Sequence, residues 1–317
     1  REKIALFCDV PTNAVFSNPD VDDIYHVPLV VEEEGLDEFL MSELDLTVRA
    51  LPPARRLDDW RELVTRETTG SVDVALVGKY GLEDAYISIH ESLKHAGLEC
   101  GVEVNTTWVH AEDVADGNDE ALFEVDGVVV PGGFGARGTL GKVEAIRFAR
   151  EHDVPFLGLC LGFQMAVVEY ARNVLGLEGA HSSEIDPDTP HPVIDLLPEQ
   201  LEVDEMGGTM RLGAHETDVD PGTLAHRIYD DDVCVERHRH RYEVNPDYIE
   251  RLEEAGLRFS GRAGPRMEIL ELPDHPYFLG TQFHPEFRSR PGRASPPFVG
   301  LVEAICRQQQ QGREVEV

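Results

Sequence analysis

The chain has 317 residues, with 28 lysines and arginines against 61 aspartates and glutamates, a formal net charge of −33 and a sequence pI ≈ 4.6. A surface this negative repels phosphate backbones and speaks against general nucleic-acid binding, while a length of about two domains allows a substantial core. No apolar run approaches the ~20 residues needed to span a bilayer and no signal peptide opens the chain, so no membrane partner is expected. The acidic residues run throughout, in VEEEGLDEF, HAEDVADGNDE and YDDDVCVE, which fits adaptation to high salt better than a solvated acidic tail. Cys8, Cys100, Cys160, Cys234 and Cys306 are scattered and never spaced CxxC, which argues against a disulfide framework or zinc knuckle and fits a reducing cytoplasm.

In chain order, KIALFCDV reads as a short buried strand, strand-like from Lys3 to Phe7. With Arg1 rather than Met before it, the chain reads as the middle of a longer protein whose natural beginning is absent. VFSNPDVDDIYHVPLVV looks loop-like, and LDEFLMSELDL offers an amphipathic helix with Phe39, Leu40 and Leu44 apolar. Residues 1–50 look like the end of one domain, too small to bury a core alone. Within a linker at 51–70, Pro52 and Pro53 break the chain and DDWRELVTRET suggests a helix capped at Asp58.

From Ser71 the pattern changes. VDVALVGKY (72–80), CGVEVNTTWV, VDGVVVPGG (125–133) and VPFLGLC (154–160) read as buried strands. DAYISIHESLKHAG (84–97), LGKVEAIRFAREH and LGFQMAVVEYARNVLG (161–176) read as the helices between and after them. This alternation predicts an α/β fold, a mainly parallel sheet flanked by helices, with function at the carboxyl ends of its strands. Further on, residues 201–213 and 233–244 read as antiparallel pieces, and NPDYIERLEEAGL as a helix capped by Asn245 with Pro246 in its first turn. RMEILELP and YFLGTQFHPE read as strands. A last helix from Ser295 to about Arg307 buries Phe298, Leu301, Val302 and Ile305. The Gln308–Gln311 run and charged end read as a fraying tail, so the second domain is expected over 71–308 and a flexible tail over 309–317.

The strongest local signal is GLCLG. Cys160 there sits on an abrupt strand-to-helix turn, with Gly158 and Gly162 sparing it crowding and the following helix aiming its N-terminus at the sulfur, which favours a thiolate. The rival reading is an inert core cysteine. His284, in QFHPE after a hydrophobic strand, is the best-placed base, and Glu286 could orient its ring. In PGGFG, 131–135, successive glycines let backbone N–H groups converge on an anion, so that Gly133 and Leu161 amides would form an oxyanion hole. A phosphate loop is disfavoured, since no GxxxxGK[ST] or helix-opening GxGxxG is present and the Gly78–Lys79 pair lacks the glycine-rich loop of a Walker lysine. His181, His215, His238 and His240 suggest a metal, but no spacing matches a structural zinc site and none is assigned.

GLCLGFQ, PGGFG and QFHPE resemble the signature of class I glutamine amidotransferase domains, whose sheet is flavodoxin-like. GGTMRLGA (207–214), ERHRHRYEVN (236–245) and the leading KIALFCDVPTNAVFSNPDVDDIYHVPLV are similar to the CTP synthase family, over nearly the whole chain. The resemblance implies hydrolysis of L-glutamine through a γ-glutamyl thioester on Cys160, with His284 as acid/base and Glu286 as its orienter. It also implies that Glu184 recognises the substrate α-amino group, Arg241 the α-carboxylate and Gln164 the substrate, with Arg137 in a region of GTP effects. The glutaminase half would need no cofactor. Ammonia would pass to a synthetase domain that aminates UTP with ATP and Mg2+, under activation by GTP, in a homotetramer. The phosphate loop, magnesium ligands and UTP site of that domain are not in this sequence, so glutaminase activity alone is expected of it. Residues 1–50 would be the end of the synthetase domain. The closest rivals are the amidotransferase domain of another system, such as GMP synthesis, and an inactive regulatory homologue.

Overall fold

Hydrogen bonding decides most of the architecture, because each branched run must find a strand partner or close its bonds upon itself. The computed structural model describes residues 1–47, 57–79, 81, 83–197 and 210–315; the Pro52–Pro53 break and residues 207–209 of GGTMRLGA lie outside them. The chain divides into two compact units, Arg1–Glu67 and Thr68–Val317.

The first unit is helical: α1 (Glu2–Cys8), α2 (Val27–Glu33), α3 (Leu36–Glu43) and α4 (Leu57–Val64). The strand expected at Lys3–Phe7 is α1. Among the described residues of this unit there is no strand for it to pair with, and a helix satisfies its own backbone. Of α1 only Ala5 is buried, while Leu6 and Phe7 are exposed. The loop-like stretch ends in α2, where Pro28 suits a first helical turn. Phe39 on α3 meets Phe16 edge-on at 5.4 Å, whereas Leu40 and Leu44 are exposed. Asp58 lies inside the first turn of α4 rather than capping it; there, with Asp59, it complements the positive end of the helix dipole.

In the second unit, five strands pair in parallel in the order β2 (Glu103–His110), β1 (Ser71–Gly78), β3 (Gly127–Val130), β4 (Phe156–Leu159) and β12 (Phe278–Thr281). Antiparallel strands extend the sheet from β12 through β11 (Arg266–Glu271), β10 (Arg258–Ala263), β7 (Arg211–Val219) and β8 (Val233–His240). A small second sheet joins β5 (His181–Ser182), β6 (Pro192–Asp195) and β9 (Glu243–Val244). The helices are α5 (Ile87–Cys100), α6 (Ala111–Ala115), α7 (Thr139–Glu151), α8 (Leu161–Asn173), α9 (Leu224–Tyr229), α10 (Pro246–Glu254) and α11 (Pro296–Val315). Apolar residues of α7 and α8 pack in one core cluster, and those of α5 and α11 in a second that shares alternate residues of β1 and β3. The fold is therefore the α/β arrangement the alternation predicts, with added antiparallel strands. Asn245 caps α10 by accepting from Asp247 N–H, as expected.

Helix α11 does not end near Arg307. It runs on to Val315, and the glutamine run belongs to it: Gln308 Nε2 donates to Asp153 O at 2.7 Å and Gln309 Nε2 to Asp126 Oδ2 at 3.0 Å. Those bonds give the polar turns a tertiary anchor that side-chain periodicity does not reveal. Among the described residues no helix is long and apolar enough to cross a membrane.

Helices α6 and α7 approach closely at Gly141, where an added Cβ would lie 1.5 Å from Ala111 O. Gly141→Ala must force α7 off α6, and we expect a loss of about 3 kcal/mol or more in urea unfolding measured in molar KCl. An unchanged midpoint would mean that the contact relaxes freely.

Candidate active site

Strand β4 ends at Leu159 and α8 begins at Leu161, leaving Cys160 alone to turn the chain. Its backbone sits at φ 50° and ψ −96°, a conformation that L residues avoid, so the fold itself holds the strain. An added Cβ at Gly162 would stand 2.1 Å from Val130 O, and one at Gly158 would stand 2.9 Å from the backbone of Gly162. Both glycines are thus steric requirements of the elbow. Cys160 N–H donates to Thr281 O at 2.7 Å, and the side chain is 3% exposed at the positive end of α8.

The partner strand brings His284. Leu159 lies in register with Thr281 of β12, so the residues after Thr281 leave the sheet edge beside the thiol. His284 Nδ1 is 2.7 Å from Glu286 Oε1, and the ring and Cys160 flank the same backbone, a Cβ on Gly132 falling 2.9 Å from His284 Cε1 and 3.4 Å from Cys160 Cβ. Burial on its own would lower the imidazole pKa, but the sulfur and the Glu286 carboxylate outweigh it and raise it from 6.5 to about 10.

Strand β8 explains the RHRHR alternation. In this edge strand His238 and His240 turn inward and are buried, while the carbonyls of the alternating arginines serve the site. Arg237 O accepts from His284 N–H at 2.8 Å, and Arg239 O lies 3.9 Å from Cys160 Sγ. Just beyond the strand, Tyr242 O accepts from Gln164 Nε2 at 3.0 Å. Gln282, not singled out from the sequence, accepts from Gln164 at 3.2 Å and directs its own amide to Cys160 Sγ at 3.9 Å. Its place in the QFHPE run was the available signal.

A cavity of ≈ 110 Å³ opens over the sulfur, lined among others by Gly133, Cys160, Gln164, Glu184 and Arg241. Gly133 lies beside Leu161, a Cβ on the former falling 3.5 Å from Leu161 Cδ2. Gly132 lies against His284, 2.9 Å from Cε1 by the same measure. Burial raises the Glu184 pKa, opposed by Arg241, the Gly135 backbone and Lys79. The cavity therefore brings an anionic and a cationic group to the same space as the Cys160 thiol, with His284 just behind it across Gly132. That arrangement suits a small zwitterion carrying a reactive carbonyl.

Arg137 is not part of this cavity; its exposed guanidinium pairs with Glu112. Of the four histidines, His238 and His240 meet Glu268, with one ligand atom of each within 4.8 Å of the others. Arg211 already pairs with that carboxylate. Burial, then the Arg211 charge, drive His238 and His240 down to about 2 and about 3, as expected of neutral rings packed beside a fixed cation. A metal ion there would face the same guanidinium.

Comparison with known proteins agrees with this geometry. The family model for class-I glutamine amidotransferases matches residues 82–304, and that for the CTP synthase N-terminus matches residues 1–46. The chain belongs to the class-I glutamine amidotransferase family. A CTP synthase of Natronomonas pharaonis is 72% identical over 96% of this chain and 56% of its own length, and one of Haloarcula hispanica is 71% identical over 96% and 56%. A solved structure, the glutaminase domain of Trypanosoma brucei CTPS with bound acivicin, is 37% identical and superposes with a TM-score of 0.70, covering 74% of this chain and 94% of that one. Within the amidotransferases the chain thus groups with the CTP synthases, those of halophilic archaea among them, and it spans about half the length of the curated relatives it matches.

Because His284 is raised above its unfolded value, its contribution to stability is full below pH 6.5 and fades as pH rises through about 10. Glu286→Gln removes one of the groups that raise it, so the His284 titration followed by NMR of ¹³C-labelled histidine should move to lower pH. An unmoved titration would mean that the carboxylate does not govern the ring.

Proposed function

We propose that the chain hydrolyses L-glutamine to glutamate and ammonia through a cysteinyl thioester. The observation that carries this is Cys160 at the cavity that Glu184 and Arg241 line, with His284 beside it across Gly132 and bonded to Glu286. In this reading Arg241 receives the α-carboxylate, for which a planar guanidinium is well shaped, and Glu184 receives the α-ammonium. Gln164 borders the side-chain path.

The side-chain amide then faces the sulfur. The thiolate adds to the amide carbon, and the resulting oxyanion is met by the N–H groups of Gly133 and Leu161. His284, held as imidazolium, protonates the leaving nitrogen; the C–N bond breaks, ammonia leaves and a γ-glutamyl thioester remains. The neutral ring next takes a proton from water as it attacks the thioester, and returns it to the departing sulfur. No cofactor enters these steps.

The wider role rests on the relatives. In a protein of their length the ammonia would serve an ATP- and Mg2+-dependent amination of UTP to CTP, with GTP as allosteric activator acting through the region of Arg137 and a homotetramer as the assembly. Residues 1–50 would close the synthetase domain, 51–70 link it and 71–308 form the amidotransferase domain, a division supported by the separation of the two compact units near residue 67. Scattered free cysteines support a cytoplasmic setting. A catalytically inactive regulatory homologue is disfavoured by the intact thiol, base, orienter and glycine loop.

In molar KCl the chain should release ammonia from glutamine, and Cys160→Ala should lose about a thousandfold or more of that rate while unfolding like the parent. Retained hydrolysis in the variant would remove Cys160 from the chemistry.

A further inference from the structure

Two consecutive glycines, Gly132 and Gly133, face the reacting atoms, and glycine is the residue least able to hold its own backbone in place. An oxyanion hole works only if its donors are fixed before the charge develops. Something outside the loop must therefore hold it.

Two buried lysines do so from opposite ends. Lys142, in the first turn of α7 and 1% exposed, donates from Nζ to Pro131 O at 2.6 Å. Lys79, just past the end of β1 and 8% exposed, donates from Nζ to Phe134 O. The glycine pair lies between the two captured carbonyls, and a Cβ on Gly133 would be 3.9 Å from Lys142 Nζ and 4.0 Å from Lys79 Cε. In a planar trans peptide a fixed C=O also fixes the following N–H in the opposite direction. Capture of Pro131 O thus orients Gly132 N–H beside His284. Capture of Phe134 O orients Gly135 N–H, the backbone group that favours the charged form of the Glu184 carboxylate.

Lys142 is poorly placed for stability. An ammonium in the first turn of a helix opposes the dipole, a buried one loses its hydration, and this one also lies near the charge of Lys79. Burial, then Lys79, lower its pKa to about 7, and the compensating influence comes from Cys160. Such a charge is retained at a site that uses it.

Building on the glutaminase reading, we propose that Lys142 and Lys79 are positioning residues that clamp the two ends of the Pro131–Gly135 loop, Lys142 serving the reacting end and Lys79 the end that holds the substrate α-ammonium. Neither touches the substrate.

Lys142→Met and Lys79→Met are to be compared with the parent chain in glutamine kinetics, urea unfolding and hydrogen exchange of the peptide spanning the loop, all in molar KCl. Lys142→Met should lower kcat about a hundredfold with KM within about threefold, because the displaced Pro131–Gly132 peptide leads directly into the Gly133 N–H at the reacting carbon. Its stability should hold or rise, since an apolar isostere removes a buried charge. Lys79→Met should raise KM about tenfold with a smaller loss of kcat. In both variants the loop amides should exchange faster while the rest of the sheet is unchanged. Wild-type kinetics and exchange in both variants, or kcat falling only with the folded fraction, would overturn the clamp. A parent chain that turns over no glutamine would defeat the glutaminase reading instead, and loop exchange alone would then decide the clamp: faster in both variants upholds it, unchanged refutes it.

Discussion

The turn at Cys160 is the constraint from which the rest of the site follows. A residue at φ 50° and ψ −96° between a central strand and a buried helix persists only where its surroundings leave no alternative. Here Val130 of the neighbouring strand closes over Gly162, and Thr281 of the other neighbour takes the Cys160 amide. The same pairing sets the register of β12, and hence the point where Gln282, His284 and Glu286 leave the sheet. Cys160 and His284 meet because their strands are adjacent and parallel, though 124 residues separate them in sequence.

Around that turn the molecule spends stability on polar groups held out of water. The edge strand β8 lends backbone carbonyls to His284, Cys160 and, through Tyr242 beyond it, Gln164, while its own histidines stay neutral against Arg211. Two lysines take the carbonyls of the facing loop. Backbone groups thus do most of the positioning, and the ionisable side chains set the charge. The surface obeys a different demand: its large negative charge repels itself, and salt at the concentrations that surround halophilic relatives would screen it to a Debye length of about 3 Å at 1 M.

Much of this was legible in the sequence. The alternation of branched runs with helices announces the parallel sheet, and GLCLG, QFHPE and PGGFG each mark a place where the chain must turn sharply at a strand end. What escaped depends on contacts between distant segments. KIALFCDV has a strand's composition but no strand beside it among the described residues, so it coils. The glutamine run after Arg307 looks like a tail until Asp126 and Asp153 anchor it. Gln282 looked like one more residue before a histidine. Lys79 and Lys142 were invisible as a pair, 63 residues apart in sequence and joined only through the loop they grip. Arg137 stands outside the cavity, paired with Glu112.

The central claim is that this chain holds a formed glutamine pocket over an activated thiol. The most direct measurement is an intact-mass spectrum with peptide mapping after treatment with the glutamine-analogue affinity label 6-diazo-5-oxo-norleucine in high salt. A single adduct on Cys160, suppressed by excess glutamine, is the predicted result. A folded chain that takes up no label, or takes it on Cys8 or another of its cysteines, would contradict it.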